Sequence, residues 1–195
     1  MALTLNGSNN TIAGLAVGGL PDGIVDADMI ATDAVTAPKI GAKAFTSYAL
    51  IMDQKSQNTQ GGEFATGSWV IRDLNTEGYD PDGIVSISSN KFTLAAGNYL
   101  IKWSAPNYRI SRATSRLYDV TNSTVISPVG NNTMTYDTTG YAQTNTEGSA
   151  RVSPSGDTEY RIETRCSSTR ETNGLGVDCN FQVEIFTTVE IYKEA

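Results

Sequence analysis

The chain has 195 residues, a formal net charge of −7, 39% hydrophobic and 18% charged residues, and no histidine. The negative charge argues against nucleic acid as a partner, because a polyanion is repelled by the average field of an acidic protein. The lack of histidine removes the most common general base and metal ligand, which makes most hydrolases and metalloenzymes poor candidates.

Apolar residues recur at an interval of five through the first 43 residues, a segment without any aromatic residue. The repeated positions are Leu15, Leu20, Val25, Ile30, Val35 and Ile40. This interval does not form one stripe on a helix, and on a strand it alternates between the two faces. A chain that turns once per repeat and packs against copies of itself around an axis explains the interval. We therefore expect an arm ordered by sister chains, with a disordered tail as the alternative.

The start of the chain contains no charged-plus-apolar leader, and no apolar run has the length of a membrane-spanning helix. We therefore expect a protein made in the cytoplasm of its host, without a signal peptide and without membrane insertion. Glycosylation motifs have no meaning in that setting.

From Phe45 onward, short runs of β-branched and aromatic residues alternate with turn clusters, a pattern that is typical of strands. We expect eight to ten strands, at 45–52, 68–74, 84–88, 99–104, 116–121, 123–127, 141–144, 148–152, 159–166 and a last run of 181–186 continued by 189–192. Phe92 and Leu94 lead into a turn at 95–98. Helix-periodic patterns are absent from this region. The spacing of strands and turns predicts an all-β sandwich or jelly roll. Residues 1–43 then form the arm and residues 44–195 the head.

The two cysteines, Cys166 and Cys179, flank a segment that resembles a loop. They could face each other across a hairpin and form a disulfide. Without a secretion signal, two free thiols are favoured over a disulfide. Two cysteines without histidine do not make a zinc site.

The run Asp80-Pro81-Asp82-Gly83 is predicted to be a turn, because an aspartate side chain in a turn bonds its own backbone. The same oxygen ligands would also suit calcium, which is the less favoured alternative.

Three short motifs of the head resemble one known family. Residues 73–80 (Asp-Leu-Asn-Thr-Glu-Gly-Tyr-Asp) place an asparagine before a Tyr-Asp pair, and residues 92–101 (Phe-Thr-Leu-Ala-Ala-Gly-Asn-Tyr-Leu-Ile) place an aromatic strand after a glycine turn. Residues 189–192 (Val-Glu-Ile-Tyr) resemble a closing strand that ends on an aromatic core residue. The resemblance is to the C1q/TNF-like jelly roll and covers about residues 45–195. It implies a homotrimer with the jelly rolls side by side.

The arm is similar to the N-terminal segments of phage virion fibre proteins, especially those of marine and cyanobacterial phages. The similarity lies in residues 6–12 (Asn-Gly-Ser-Asn-Asn-Thr-Ile), 18–23 (Gly-Gly-Leu-Pro-Asp-Gly) and 34–40 (Ala-Val-Thr-Ala-Pro-Lys-Ile). Residues 72–77 (Arg-Asp-Leu-Asn-Thr-Glu) resemble the C1q-like heads of such fibres. The resemblance implies trimeric arms that are bundled or docked on the virion, which makes the six apolar residues trimerising positions. The chain lacks the Gly-X-Y stalk of animal C1q proteins, so complement or cytokine function is not implied.

No catalytic, cofactor-binding or metal-binding residues are predicted. The sequence has no Gly-x-Ser-x-Gly elbow, no phosphate loop and no histidine-based triad. A glycosidase would need two carboxylates at a defined separation, which the sequence does not supply. We therefore expect that the protein is not an enzyme and needs no cofactor.

Recognition by a rigid sandwich is expected in its loops. The candidate receptor-facing residues are Arg109, Arg112, Asn131, Asn132, Tyr136, Tyr141, Arg170 and Asn173. Arg109, Arg112, Arg116 and Lys102 form a local basic cluster in the sequence. This cluster could meet an acidic glycan or a neighbouring subunit, although charges balanced by glutamates in a solvated loop are favoured.

These features together predict a non-enzymatic virion protein, a trimeric tail fibre whose outward-facing head attaches to the host. Its expected partners are copies of itself, other virion proteins bound through the arm, and a glycan or protein of the host surface. A capsid decoration protein or head fibre of the same architecture is the main alternative. A carbohydrate-active tail enzyme is the third candidate.

Overall fold

The computed structural model describes residues 4–6, 11–13, 44–135 and 142–195 of the chain. The chain divides into two units, Met1–Ala42 and Lys43–Ala195. In the first unit, β1 (Thr4–Asn6) pairs antiparallel with β2 (Thr11–Ala13), with Leu5 opposite Ile12. The six apolar positions of the predicted arm lie outside the described residues, and their trimerising role stays a prediction.

The second unit consists of strands, which follow from its alternating apolar residues. In chain order these are β3 (Phe45–Lys55), β4 (Val70–Ile71), β5 (Thr76–Tyr79), β6 (Ser86–Ser88), β7 (Lys91–Leu94), β8 (Tyr99–Tyr108), β9 (Ser111–Asp119), β10 (Thr124–Val125), β11 (Asn132–Thr135), β12 (Gln143–Val152), β13 (Thr158–Cys166) and β14 (Glu184–Glu194). Over the described ranges, no helix has the length and apolar character needed to cross a membrane.

The strands of this unit form two antiparallel sheets. A five-stranded sheet has the order β12-β8-β14-β3-β5. A seven-stranded sheet has the order β10-β9-β13-β7-β6, with β11 also paired to β9 and β4 to β13. From β7 onward, successive long strands alternate between the sheets, and β14 closes the fold between β3 and β8. This alternation is that of a jelly roll, so the predicted all-β jelly-roll sandwich is confirmed.

The core lies between the two sheets, because alternate residues of each strand face inward. Tyr99, Ile101 and Trp103 of β8 are buried there. Trp103 Nε1 donates a hydrogen bond of 2.8 Å to Ser115 Oγ of β9, which ties the five-stranded sheet to the seven-stranded one.

Gly148 of β12 lies directly opposite Trp103 of β8, and the indole ring packs against it. A Cβ at position 148 would lie 1.9 Å from Trp103 Cζ2. We expect Gly148→Ala to lower the free energy of unfolding by about 1–3 kcal/mol, because the tethered ring must leave its position. Urea denaturation of the purified protein measures the change. Ser149→Ala is the control, since its side chain points away from the core and should change stability by less than about 0.5 kcal/mol. Equal stability of the two variants would contradict the prediction.

Four strand predictions need correction. The predicted strand 68–74 is reduced to β4, which is followed by Arg72, whose backbone N–H still bonds Ile162 of β13 while its side chain is buried. From Gln143 onward, the runs 141–144 and 148–152 belong to one strand, β12, in which Gly148 interrupts the apolar pattern but not the pairing. The last strand begins at Glu184 rather than at residue 181. Strands β5 and β11 were missed, because their polar residues lack an apolar alternation.

The two cysteines are free thiols, as favoured from the sequence. Cys166 is buried at the end of β13, and Cys179 is exposed in the loop before β14. The Cys166 thiol donates to the carbonyl oxygen of Ser168 at 3.2 Å. Burial raises the pKa of the Cys166 thiol, which lowers its reactivity.

The run from Asp80 to Gly83 is a turn, as predicted. The two carboxylate oxygens of Asp80 accept hydrogen bonds from the backbone N–H groups of Ile84 and Val85, at 3.0 and 2.9 Å. Gly83 has a φ of 61°, which favours glycine. In the described part of the chain, no group of three or more acidic, histidine or cysteine residues is arranged to hold a metal ion.

Candidate interaction surfaces

The outward side of the five-stranded sheet carries four aromatic rings, those of Phe45, Tyr48, Tyr79 and Tyr192, here called the aromatic face. Tyr48 of β3 lies opposite Tyr192 of β14, and their ring centroids are 5.0 Å apart. Phe45 extends the cluster on one side, 5.1 Å from Tyr192, and Tyr79 extends it on the other, 6.0 Å from Tyr48. These are the separations of favourable aromatic pairs.

The aromatic face is more apolar than is usual for a sheet surface exposed to solvent. β3 contains the unbroken apolar run Tyr48–Met52, in which Ala49 and Ile51 point into the core. The other residues of this run point outward, as does Leu100 of β8, which lies opposite Tyr192 of β14. A strand that is apolar on both sides is typical of a sheet covered on both sides. Nevertheless Tyr79 remains 54% exposed in the single subunit.

The rest of the same sheet surface is charged. Lys102, Glu147, Thr188 and Glu190 line a groove of about 210 Å³. The Tyr192 hydroxyl donates a hydrogen bond of 2.7 Å to Glu190, which joins the aromatic and charged halves. One sheet surface therefore presents two chemically different halves.

Two tyrosines make stability sensitive to alkaline pH. The hydrogen bond to Glu190 raises the pKa of Tyr192 to about 12, and burial raises the pKa of Tyr160 to about 12, against an ordinary value of 10.0. The folded state therefore holds these two protons more tightly than the unfolded state does. Their contribution to stability is complete below pH 10 and is lost as the pH rises from 10 to 12.

We expect the free energy of unfolding to fall over this alkaline range, and Tyr160→Phe to make the fall less steep because it removes one of the shifted ionisations. Urea denaturation at a series of pH values measures the stability, and ultraviolet absorbance of phenolate measures the ionisation. Simultaneous ionisation of all nine tyrosines near their ordinary pKa would contradict the prediction.

The predicted receptor-facing residues that the structure describes lie in several different segments of the head. Arg109 follows β8 with a φ of 52°. Asn131 is structural, because its side-chain oxygen and backbone N–H both bond the backbone of Glu147, each at 2.7 Å. Arg170 exchanges backbone hydrogen bonds with Phe64, and the Asn173 carbonyl accepts from Gly176. Tyr136 and Tyr141 lie outside the described residues.

Arg112 and Asn132 do share a surface, a groove of about 560 Å³ on the outward side of the seven-stranded sheet. We call it the arginine groove. It is lined by Arg112, Ala113, Thr114, Asn132, Thr133, Met134, Arg165, Cys166 and Ser167. The sequence did not single out Arg165, since its proximity to Arg112 depends on the pairing of β9 with β13.

The basic cluster predicted from the sequence is wrong as a single cluster. Lys102 lies on the five-stranded sheet, whereas Arg112 and Arg116 lie on the seven-stranded one. Arg116 bonds Glu163 at 2.7 Å and stacks on the ring of Trp69 at 3.8 Å. The expected balance by glutamates is confirmed for Arg116.

The loop before β14 exposes apolar side chains that sequence reasoning assigned to a strand. Phe181 is 90% exposed. The carboxylate of Glu184 holds this loop, accepting from the backbone N–H groups of Cys179 and Asn180 at 3.0 and 2.8 Å. These bonds lower the pKa of Glu184 and keep the chain in a turn until β14 begins.

Neither the family models nor the curated proteins compared with this chain match it. Among solved structures, the globular domain of zebrafish complement 1qA protein matches with a TM-score of 0.46 and 11% identity, covering 75% of this chain and 95% of that chain. Murine APRIL matches in crystal structures at pH 8.0 and pH 8.5, with TM-scores of 0.45 and 0.49 and identities of 6% and 5%. Both comparisons cover 75% of this chain and 98% of that chain. These are C1q and TNF-family jelly-roll domains, and the likeness is confined to the fold.

Proposed function

We propose that the protein is a non-enzymatic, homotrimeric virion protein whose jelly roll is an outward-facing head for host attachment. The arm would hold the trimer together and dock it on the particle. The single observation that carries the assembly is the aromatic face, an apolar outer surface on a sheet whose other side is already buried.

A second copy of this chain is the occupant of the aromatic face that best fits its chemistry. The sheet surface has an aromatic half around Tyr48 and Tyr192 and a charged half that contains Lys102 and Glu190. A head-to-tail contact that closes into a ring places different parts of the surface against each other. Around a threefold axis, the aromatic half of one subunit would contact a neighbouring subunit. The charged half of that neighbour would form ion pairs at the rim of the contact. Burial of exposed aromatic side chains is the dominant favourable term in such contacts.

The arm supports the virion part of the proposal through its resemblance to phage fibre segments. Its apolar residues at an interval of five would be covered by two sister arms, because a single arm of small side chains cannot offset the entropy of ordering. Three heads held on one trimer would bind a host surface with avidity even if each site is weak.

The assembly is tested by the mass of the full chain in solution at micromolar concentration, measured by analytical ultracentrifugation. We expect a trimer, and a monomer would contradict the proposal. Electron microscopy of particles labelled with an antibody to the head tests the location. Label at the tail supports the fibre, label over the capsid supports the decoration alternative, and particles without label exclude a virion role.

The attachment role has its own test. Purified trimers added in excess should compete with particles for host cells and reduce adsorption. Unchanged adsorption would contradict the attachment role while leaving the assembly proposal in place.

A further inference from the structure

The arginine groove brings two cations together on the outer side of the seven-stranded sheet. Arg165 of β13 lies opposite Thr114 of β9, and Arg112 is two residues before Thr114 on the same face. The two arginines are therefore diagonal neighbours across the strand pair, roughly 7–8 Å apart at the backbone. Both side chains are exposed. This separation lets both guanidinium groups reach a single bound anion.

Two other arginines on the same sheet surface are neutralised by a carboxylate. Arg116 and Arg161 both bond the carboxylate of Glu163, each at 2.7 Å. In contrast, neither Arg112 nor Arg165 forms an ion pair with any residue of the described ranges. None of the nine residues that line the groove is acidic. Among the described residues, two positive charges without an ion-pair partner therefore lie in one concave surface of an acidic chain.

The remaining residues that line the groove suit a ring-shaped ligand with hydroxyl groups better than an inorganic ion. Asn132 lies opposite Thr114, and Met134 lies opposite Arg112, so both flank the arginines on the same face. The amide of Asn132 can donate to and accept from hydroxyl groups. Met134 is 65% exposed and offers an apolar surface beside the charged groups. Polar donors beside an apolar wall are the usual lining of a small-molecule site.

We propose that the arginine groove binds a carboxylate-bearing sugar unit of an acidic polysaccharide. The guanidinium groups of Arg112 and Arg165 would bind the carboxylate, for which a planar fork of donors is suited. Asn132 would bond ring hydroxyls, and Met134 would contact the apolar side of the ring. The inference rests on the proposed attachment function, since it names the class of surface molecule that the head recognises.

The test uses the full chain and a defined probe, an oligogalacturonate, with binding measured by calorimetry. The control probe is the same oligosaccharide with its carboxyl groups reduced to alcohols. We expect binding of the acidic probe that weakens as salt is added, because exposed charge pairs are screened. The reduced probe should bind at least about tenfold more weakly, since loss of charge-assisted hydrogen bonds costs more than one factor of ten.

The variant Arg112→Gln/Arg165→Gln should weaken binding at least about tenfold, because it removes both charge-assisted partners. Asn132→Asp should weaken binding as well, by placing a carboxylate in the groove without removing an arginine. The matched control is Lys91→Gln/Arg151→Gln, which removes two positive charges from ion pairs elsewhere and should bind within about twofold of the unchanged chain. Thermal unfolding checks that all variants fold.

Three results would overturn the proposal. They are no binding of the acidic probe, equal binding of the reduced probe, and undiminished binding by the double arginine variant. Tighter binding of a polyglutamate peptide than of the oligosaccharide would also overturn it in favour of an acidic protein partner. The mass of the trimer and its location on particles are measured separately, so failure of the groove leaves those results unaffected.

Discussion

Replacing Arg72 by alanine is expected to lower the free energy of unfolding by about 3–5 kcal/mol, the largest effect on stability that we expect from a single substitution. Arg72 is fully buried between the sheets. Its Nε donates to Thr187 Oγ1 at 2.8 Å, and its Nη2 donates to the carbonyl oxygen of Leu175 at 2.7 Å. Alanine leaves these acceptors without their donor and opens a gap in the interior.

The charge of Arg72 contributes less than its contacts do. Burial of the guanidinium lowers the pKa of Arg72 to about 10, while the carboxylates of Asp53 and Asp73 act in the opposite direction. The cost of removing the cation from water is therefore only partly offset by its acidic neighbours. Replacement of a buried ionic side chain by an apolar one of similar volume is often neutral.

Arg72→Met is thus the informative second variant. We expect its free energy of unfolding to fall by less than about half of the fall in Arg72→Ala. Arg151→Ala is the surface control, since Arg151 and Glu194 form an exposed pair at 2.6 Å that contributes about 1 kcal/mol or less. Chemical denaturation of the three variants gives the comparison. A loss below about 1 kcal/mol for Arg72→Ala would show that the interior does not depend on this residue.

Placing two charges on the aromatic face is expected to separate the proposed trimer into monomers. The variant is Phe45→Asp/Tyr79→Asp, at positions that are 36% and 54% exposed in the single subunit. Because both side chains already contact solvent in that subunit, the jelly roll should keep its fold. In the assembly, each aspartate would be buried against a neighbour without a partner, so we expect the dissociation constant to rise at least about a hundredfold.

The matched control is Val125→Asp/Val129→Asp, which places the same charges at apolar positions that are 38% and 53% exposed. These residues lie in and after β10 of the other sheet, away from the aromatic face. Sedimentation velocity across a range of concentrations separates the two cases. Dissociation by the control variant, or a trimer that persists in Phe45→Asp/Tyr79→Asp, would assign the contact to another surface.

The motif that carries the resemblance of residues 72–77 to phage heads has a structural explanation. Asp73 accepts from Lys55 Nζ at 2.7 Å, and Asn75 Oδ1 accepts from the backbone N–H of Gln54 at 2.9 Å. These two residues hold the segment against β3, while buried Arg72 bonds Thr187 of β14. The motif therefore contributes to the packing of the sandwich.

The strand pattern of the head was predictable because it is local. An apolar run marked β3, and alternation of apolar residues marked β8 and β13. The turn at 95–98 between β7 and β8 was visible in its Gly and Asn. The polar strands β5 and β11 were not predictable, since tertiary pairing holds them in place rather than their own composition. The sequence placed Arg72 in the predicted strand 68–74. Its role in stabilising the interior became visible only from its burial in the folded chain.

The candidate surfaces were likewise predictable only in part from the sequence. Composition and alternation were enough to predict an all-β acidic head without histidine chemistry, because these properties do not depend on which strands meet. The functional meaning of the arginines depended on strand register, which placed Glu163 against Arg116 and no carboxylate of the described residues against Arg112 or Arg165. A register shift of one residue would move every side chain to the opposite face, so charge pairing across strands is a property of the folded chain.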